Sequence, residues 1–171
     1  MLAEAGVPPG FQTQLTATGG FGRDVLDAAQ LVQQFLKDVG IEAALRRQEY
    51  GAYLATTRVG KFEGLAYAPF TVAWDPHTTL SAAYRPDQPL NAGHVNDPTL
   101  TALLKDQQRL QALDARKQLM FAIQRYEAQQ QYYVYTYSAM LTVSWQPTVQ
   151  HCAPSPTWDM GGLAAALWLG W

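Results

Sequence analysis

Residues 11–45, FQTQLTATGGFGRDVLDAAQLVQQFLKDVGIEAAL, decide the fold of this chain. Phe11–Thr16 alternates apolar with polar residues, as a half-buried strand does. The apolar residues between Val25 and Val39 recur on one stripe, which predicts an amphipathic helix. Ile41–Leu45 follows directly as a second short strand. A strand, a helix and a strand in this order predict the beginning of an α/β unit.

The ends of this helix carry their own signals. Asp24 follows a glycine-rich break and is predicted to cap the first turn of the helix. Gly40 is predicted to end the helix at its C-terminus. Downstream, Tyr50–Val59 is predicted as a short helix and Phe62–Tyr67 as a third strand. The alternation of strands and helices predicts the α/β fold class, with a parallel or mixed sheet covered by helices.

The segment from Ala68 to Asn96 has no clear periodicity, and four prolines interrupt its aromatic and small residues. Long irregular segments inside compact domains are often functional. Asp97-Pro98 then opens a helix, since proline is tolerated in the first turn, where its missing N–H has no partner to lose. A further helix is predicted to be capped by Asp114.

The last forty residues look like a different architectural unit. Tyr132–Tyr137 and Leu141–Trp145 are rich in β-branched and aromatic residues, and both are predicted as strands. Alternation along the first of them places Tyr133, Tyr135 and Tyr137 on one face. We therefore divide the chain into residues 1–130 and a strand-rich tail, residues 131–171.

The composition excludes several classes of protein. The chain has 171 residues, of which 48% are hydrophobic and 15% charged, with a formal net charge of −2. This is too apolar for a disordered chain, and no basic cluster exceeds Arg46-Arg47, which excludes a nucleic-acid partner. No apolar stretch reaches the roughly 20 residues of a membrane helix. Met1–Gly6 has no features of a signal peptide, and Cys152 is the single cysteine, so an internal disulfide is excluded.

Residue types used in catalysis are present without the spacing that catalysis needs. No serine lies in a Gly-x-Ser-x-Gly elbow, and the three histidines are far apart in the sequence. Asp75 with His77, and His94 with Asp97, each offer two metal ligands without a third at metal-site spacing. Gly19–Gly22 precedes a helix but lacks the lysine of a phosphate loop. We expect no enzyme activity, no metal and no cofactor.

Several segments of the chain, taken in order, resemble a known family. They are Leu2–Pro8, Ala29–Ile41, Asn96–Leu104, Asp114–Tyr126, Tyr132–Tyr137, Trp145–Pro147 and Trp168-Leu169. In this order and spacing they resemble the C-terminal part of the family 5 extracellular solute-binding proteins, the receptors of peptide, oligosaccharide and nickel ABC importers.

The resemblance implies a two-lobed clamshell that encloses a ligand, with this chain as the smaller lobe, of the periplasmic-binding-protein type II-like kind. Residues 1–130 would be the ligand-binding lobe, and the tail would cross back to an N-terminal lobe that this chain lacks. The resemblance further implies a small-molecule or peptide ligand, ABC-transporter membrane subunits as partners of the intact receptor, and a periplasmic or extracellular location. We therefore expect a fragment of a receptor that leaves apolar surface exposed on the tail.

Peptide-binding relatives carry an aspartate that pairs with the ligand's amino group, followed by an acidic residue and proline. Asp75-Pro76 matches the end of that pattern, whereas Val72 falls at the amine-binding position. A buried valine cannot neutralise an ammonium group. Recognition of a free peptide N-terminus is therefore in doubt, and a neutral or differently anchored ligand is an equal alternative.

The candidate ligand-binding residues follow from this resemblance. Trp74 offers an aromatic wall, and Tyr67 and Phe70 flank the same loop. For Asp75 the competing interpretation is a helix or turn cap, and for the aromatic residues it is core packing. The six candidates are Tyr67, Phe70, Trp74, Asp75, Tyr135 and Tyr137. A second functional hypothesis is an interaction module whose apolar tail docks on a partner chain or a second copy.

Overall fold

The computed structural model describes residues 2, 4–8, 10–70, 73, 75–138, 144–152 and 167–170. Five strands and five helices lie within these residues. The strands are β1 (Phe11–Ala17), β2 (Ile41–Arg47), β3 (Leu65–Ala66), β4 (Val149–Gln150) and β5 (Trp168–Leu169). The helices are α1 (Arg23–Asp38), α2 (Tyr50–Ala55), α3 (Pro76–Tyr84), α4 (Pro98–Arg109) and α5 (Leu113–Gln130). No helix among the described residues combines the length and apolarity needed to cross a membrane.

The first three strands form a parallel sheet in the order β2-β1-β3. β1 pairs with β2 along its whole length, from Phe11 opposite Ile41 to Ala17 opposite Arg47. On its other side β1 pairs with β3 over two residues, with Leu15 opposite Leu65. The predicted α/β fold with a parallel sheet is confirmed. Two neighbouring parallel strands need a crossover connection, and α1 lies in the one between β1 and β2.

α1 covers one face of this sheet through the apolar stripe that the sequence predicts. Leu15, Ala17, Ala29 and Ala43 are buried there, surrounded by Leu26, Val32, Leu36, Leu45 and Tyr67. The predicted cap was wrong: the residue before the helix is Gly22, at φ 131°, and Asp24 lies in the first turn. A carboxylate in that turn still stabilises the helix through its dipole. Gly40, at φ 86°, lies two residues beyond the helix end.

α3, α4 and α5 form a second hydrophobic cluster. Its buried members are Ala83, Tyr84, Val95, Leu100, Leu104 and Ile123. The expectation of an irregular segment from Ala68 to Asn96 missed α3, which begins at Pro76 because Asp75 accepts the His77 amide, 2.7 Å away. α4 begins at Pro98 as predicted, and Asp97 caps it. Asp114 lies in the first turn of α5 and is not its cap, since the capping position is Ala112.

The predicted strand Tyr132–Tyr137 was wrong, since none of its residues lies in a strand. The hydroxyls of Tyr132, Tyr133 and Tyr135 instead bond to groups on the helical unit or in the loop before α4. Of the second predicted strand, Ser144 and Trp145 lie outside any strand, and residues 141–143 are outside the described residues. β4 and β5 pair as a short antiparallel ribbon.

Candidate functional site

The carboxyl edge of the parallel sheet brings the ends of three strands together. β1 ends at Ala17, β2 at Arg47 and β3 at Ala66. In open α/β sheets, ligands bind in the crevice outside the carboxyl ends of the strands. The first candidate residue, Tyr67, follows β3 directly at this edge.

Hydrogen bonds of both its main chain and its side chain hold Tyr67 in place. Its amide donates to the Thr16 carbonyl at 2.8 Å, and its carbonyl accepts from the buried Tyr53 hydroxyl at 3.2 Å. Its own hydroxyl lies 3.1 Å from Thr136 Oγ1. Tyr67 therefore joins the sheet edge to the segment that follows α5.

Phe70 brings that same segment into an aromatic contact. Its ring meets the Tyr135 ring edge-on, with centroids 5.9 Å apart, and the Tyr133 ring at 6.5 Å. Phe70 and Tyr135 are 40% and 57% exposed, so both present ring surface to the outside. Geometry of this kind suits a ligand-contacting wall, because aromatic rings offer large contact area at low conformational cost.

Tyr137 extends this surface towards the first turn of α1. The pKa of the Tyr137 hydroxyl is raised, mainly by desolvation and then by the neighbouring Tyr67 and the Asp24 carboxylate. Four of the six candidate residues thus lie along one connected surface, which we call the aromatic face: Tyr67, Phe70, Tyr135 and Tyr137.

A buried carboxylate holds the Tyr135 end of the aromatic face. Glu127 is 7% exposed and accepts hydrogen bonds from Tyr135, at 2.6 Å, and from the buried Tyr84. Burial raises the pKa of Glu127, and the Tyr135 hydrogen bond lowers it by a smaller amount. Glu127 was not among the residues predicted from the sequence. Its signal was a glutamate four positions after Ile123, on the buried side of an amphipathic helix.

Asp75 makes its contacts elsewhere in the fold. Besides capping α3, its two oxygens accept from one Arg116 nitrogen at 2.8 and 2.9 Å. The Arg116 hydrogen bond is the main reason that the pKa of Asp75 is lowered. These contacts account for Asp75 by capping and ion pairing. The sixth candidate, Trp74, lies outside the described residues, as does Val72.

The histidines considered as metal ligands bind protein groups instead. The ring of His77 contacts the side chains of Ser81, Gln107 and Gln108, and burial lowers its pKa. His94 Nε2 lies 2.9 Å from the Gly60 carbonyl. In the described part of the chain, no three histidine, cysteine or acidic residues are grouped as metal ligands.

A shallow depression of about 300 Å³ lies on the loop between α3 and α4. Val59 and residues between Pro86 and Asn96 line it, and none of the five candidate residues that the structure describes does. We therefore place the candidate site at the aromatic face and not at this depression.

Comparison with solved structures finds binding proteins of ABC transporters. The periplasmic binding protein DppA from Helicobacter pylori, solved with the peptide STSA, is 27% identical over 78% of this chain, with a TM-score of 0.64. A nickel ABC transporter protein from Bacillus halodurans is also 27% identical, over 71% of this chain, with a TM-score of 0.59. The oligopeptide-binding protein AppA from Bacillus subtilis, solved with a nonapeptide, is 18% identical over 94% of this chain, with a TM-score of 0.77.

This chain spans only part of each of these proteins. It covers 26% of the first, 26% of the second and 32% of the third. Neither a protein-family model nor a curated protein sequence matches the chain. The comparisons agree with the resemblance to family 5 solute-binding proteins over a portion of their length, and with the α/β fold. The matched proteins are solute-binding proteins, which are not enzymes.

Proposed function

We propose that this chain is the C-terminal, ligand-contacting part of a solute receptor of an ABC importer for peptides or similar small solutes. The observation that carries the proposal is the aromatic face at the carboxyl edge of a parallel sheet, the edge at which α/β proteins bind ligands. The matched binding proteins of peptide and nickel transporters support the same assignment.

In this proposal residues 1–130 form the ligand-binding lobe and residues 131–171 form a tail that crosses to the rest of the receptor. The intact receptor would work outside the cytoplasmic membrane and deliver its ligand to the membrane subunits of the importer. Trp74 and Asp75 remain proposed ligand-binding residues, and Asp75 also caps α3.

A single lobe contacts only one side of an enclosed ligand. It lacks the contacts and the exclusion of water that closure would add, so its affinity should be weak. We therefore expect binding that NMR detects and that calorimetry at micromolar protein does not.

The proposal is tested by titrating the isotope-labelled chain with the tetrapeptide Ser-Thr-Ser-Ala and recording amide and aromatic signals. We expect saturable shifts confined to the aromatic face. Phe70→Ala should abolish them, whereas Phe121→Ala, at a residue of equal exposure on α5, 40% against 41%, should leave them unchanged. Shifts scattered over the surface, or equal loss in both variants, would contradict the proposal.

Exposed apolar side chains favour a second candidate function, an interaction module that docks on a partner chain or a second copy. Val134, Trp145, Trp168 and Leu169 all belong to residues 131–171 and are exposed. Light scattering separates the two candidates. A concentration-dependent dimer that Val134→Ser and Leu169→Ser dissociate would favour the module, and a monomer that binds the peptide would favour the receptor lobe.

A further inference from the structure

Two tyrosine hydroxyls converge on one oxygen of Glu127 and leave its other oxygen without a partner among the described residues. Both Tyr84 and Tyr135 donate to Oε1. Within the described ranges no hydrogen bond reaches Oε2, and no side-chain oxygen there is both fully buried and without a partner, so Oε2 reaches the surface although the residue is only 7% exposed. An oxygen with two lone pairs in such a place is an open acceptor.

The Glu127 carboxylate also lacks a cation as an ion-pair partner among the described residues. None of the ion pairs among the described residues includes Glu127, and its two partners are neutral hydroxyls. Burying a carboxylate costs free energy unless a cation pairs with it. A positively charged group that reached Oε2 would remove this cost and add a charge-assisted hydrogen bond.

The side chain beside Glu127 at the aromatic face is partly exposed. Tyr135 is 57% exposed, and it lies in a segment outside any helix or strand. Its ring is held by the Glu127 hydrogen bond and by edge contact with Phe70. Displacing this one side chain would widen access to the carboxylate without breaking regular secondary structure.

The walls of this access route are aromatic. The rings of Tyr133 and Tyr135 both lie within 6.5 Å of Phe70, and Tyr84 packs against Tyr133 with centroids 5.4 Å apart. Aromatic faces attract an ammonium or guanidinium group through their quadrupole, which reinforces the pull of a carboxylate.

We propose that Glu127, with the rings of Phe70, Tyr133 and Tyr135, forms a subsite for an organic cation of the ligand, a primary ammonium or a guanidinium. This inference rests on the proposed function and names its ligand chemistry. The subsite uses other residues than the amine-binding pattern, in which Val72 stands where the peptide-binding relatives have an aspartate.

The test compares a charged probe with a neutral one that differs from it at the side-chain nitrogen. N-acetyl-lysine amide carries one side-chain ammonium, and its side-chain-acetylated form is the neutral counterpart. NMR titration of the labelled chain should show the charged probe binding about tenfold more tightly, the size of one charge-assisted hydrogen bond, with shifts at Glu127, Tyr133 and Tyr135.

Glu127→Gln is the matched variant, because it keeps an Oε1 acceptor for both tyrosines and removes the charge. It should bind the two probes equally. Tyr135→Phe keeps the ring and removes one of the two donors to Oε1, while Tyr84 still donates to it, so this variant should keep the preference for the charged probe. A thermal melt verifies that both variants are folded.

Equal affinities of wild type for the two probes, or an unchanged preference in Glu127→Gln, would overturn the subsite. If N-acetyl-Ser-Thr-Ser-Ala amide, which carries no charged group, binds the aromatic face while wild type shows no preference for the charged probe, the subsite fails and the proposed function stands. If neither the tetrapeptide nor either probe binds the aromatic face, both are wrong.

Discussion

Asp97 and Glu127 are carboxylates that each accept two tyrosine hydroxyls, yet their pKa values shift in opposite directions. Asp97 accepts from Tyr126 and Tyr132 and also from the amides at the start of α4, and the Tyr132 hydrogen bond is the main cause of its lowered pKa. For Glu127 the cost of burial exceeds the gain from its hydrogen bonds, so its pKa is raised. The balance between desolvation and hydrogen bonding therefore decides the charge behaviour of each residue.

Glu127→Gln should stabilise the chain at neutral pH. Because the folded pKa of Glu127 is raised, the fold holds the proton more tightly than the unfolded chain, and this contribution is lost as pH rises through the folded pKa. The measurement is urea unfolding from pH 4 to 8. The free energy of unfolding of the variant should exceed that of wild type by an amount that grows as pH rises, with no difference at the acid end. A constant difference across this range would contradict the assignment.

Asp97→Ala should destabilise the chain by about 2 to 3 kcal/mol, since a helix cap contributes about 1 kcal/mol and each tyrosine hydrogen bond about as much. Asp97→Asn is the control, because it keeps the cap and an acceptor and should lose about half as much. The lowered pKa of Asp97 contributes stability above its ordinary pKa that is lost as pH falls through the folded value. The measurement is urea unfolding at pH 7 and at pH 3, where wild type and Asp97→Ala should differ least.

At the scale of elements, β3 joins the sheet through a close approach at Gly64. Gly64 has φ +71°, and a Cβ there would lie 2.6 Å from the Gln14 carbonyl oxygen in β1. Neither the left-handed backbone nor the space next to β1 suits a side chain. Gly64 thus sets the position of β3, and with it the start of the loop that carries Tyr67 and Phe70.

Gly64→Ala should lower the free energy of unfolding by about 2 to 4 kcal/mol. This loss adds the cost of placing alanine in a left-handed conformation to the cost of its contact with rigid backbone. Gly40→Ala is a matched control, since Gly40 has φ +86° and a Cβ added there would meet no described atom within 4 Å. It should cost about 1 to 2 kcal/mol, the backbone contribution alone. Denaturant unfolding gives both values, and equal losses would show that contact with Gln14 contributes nothing.

At the scale of the whole molecule, residues 131–138 link the two hydrophobic clusters. Tyr132 and Tyr133 pack on the cluster of α3, α4 and α5, while Thr136 reaches Tyr67 beside the sheet. Tyr133 also accepts from the Gly93 amide at 3.1 Å and donates to the Ala83 carbonyl at 3.2 Å. The same segment carries Tyr135 and Tyr137, so the aromatic face depends on the packing of both clusters.

The same segment and the residues after it expose apolar surface. Combined replacement of Val134, Trp145, Trp168 and Leu169 by serine should lower the binding of a hydrophobic dye several-fold, because patches of exposed apolar side chains bind such dyes. Leu113→Ser is the control, since Leu113 is 77% exposed on α5, apart from this group. An equal decrease in the control would show that dye binding does not report on residues 131–171.

Local signals predicted well the part of the fold that depends on neighbours in the sequence. The alternation in β1 and the stripe of α1 are periodic over many residues, and both elements were found within two residues of their expected bounds. α3 was missed although Asp75-Pro76 is the same start signal as Asp97-Pro98, because its nine residues include four polar ones and form no apolar stripe. The strand predicted at Tyr132–Tyr137 failed because its tyrosine hydroxyls bond to distant groups and not to a neighbouring strand.

The sequence by itself determined the α/β class, the β1-α1-β2 unit and four aromatic candidates that the structure joins in one face. Only the tertiary structure decided that Asp75 pairs with Arg116, and that Tyr84 and Tyr135 meet on Glu127. The physical reason is range. The periodicity of strands and helices relates residues that are only a few positions apart in the sequence. Tyr84 and Glu127 are 43 positions apart, and they meet only when α3 and α5 pack on α4.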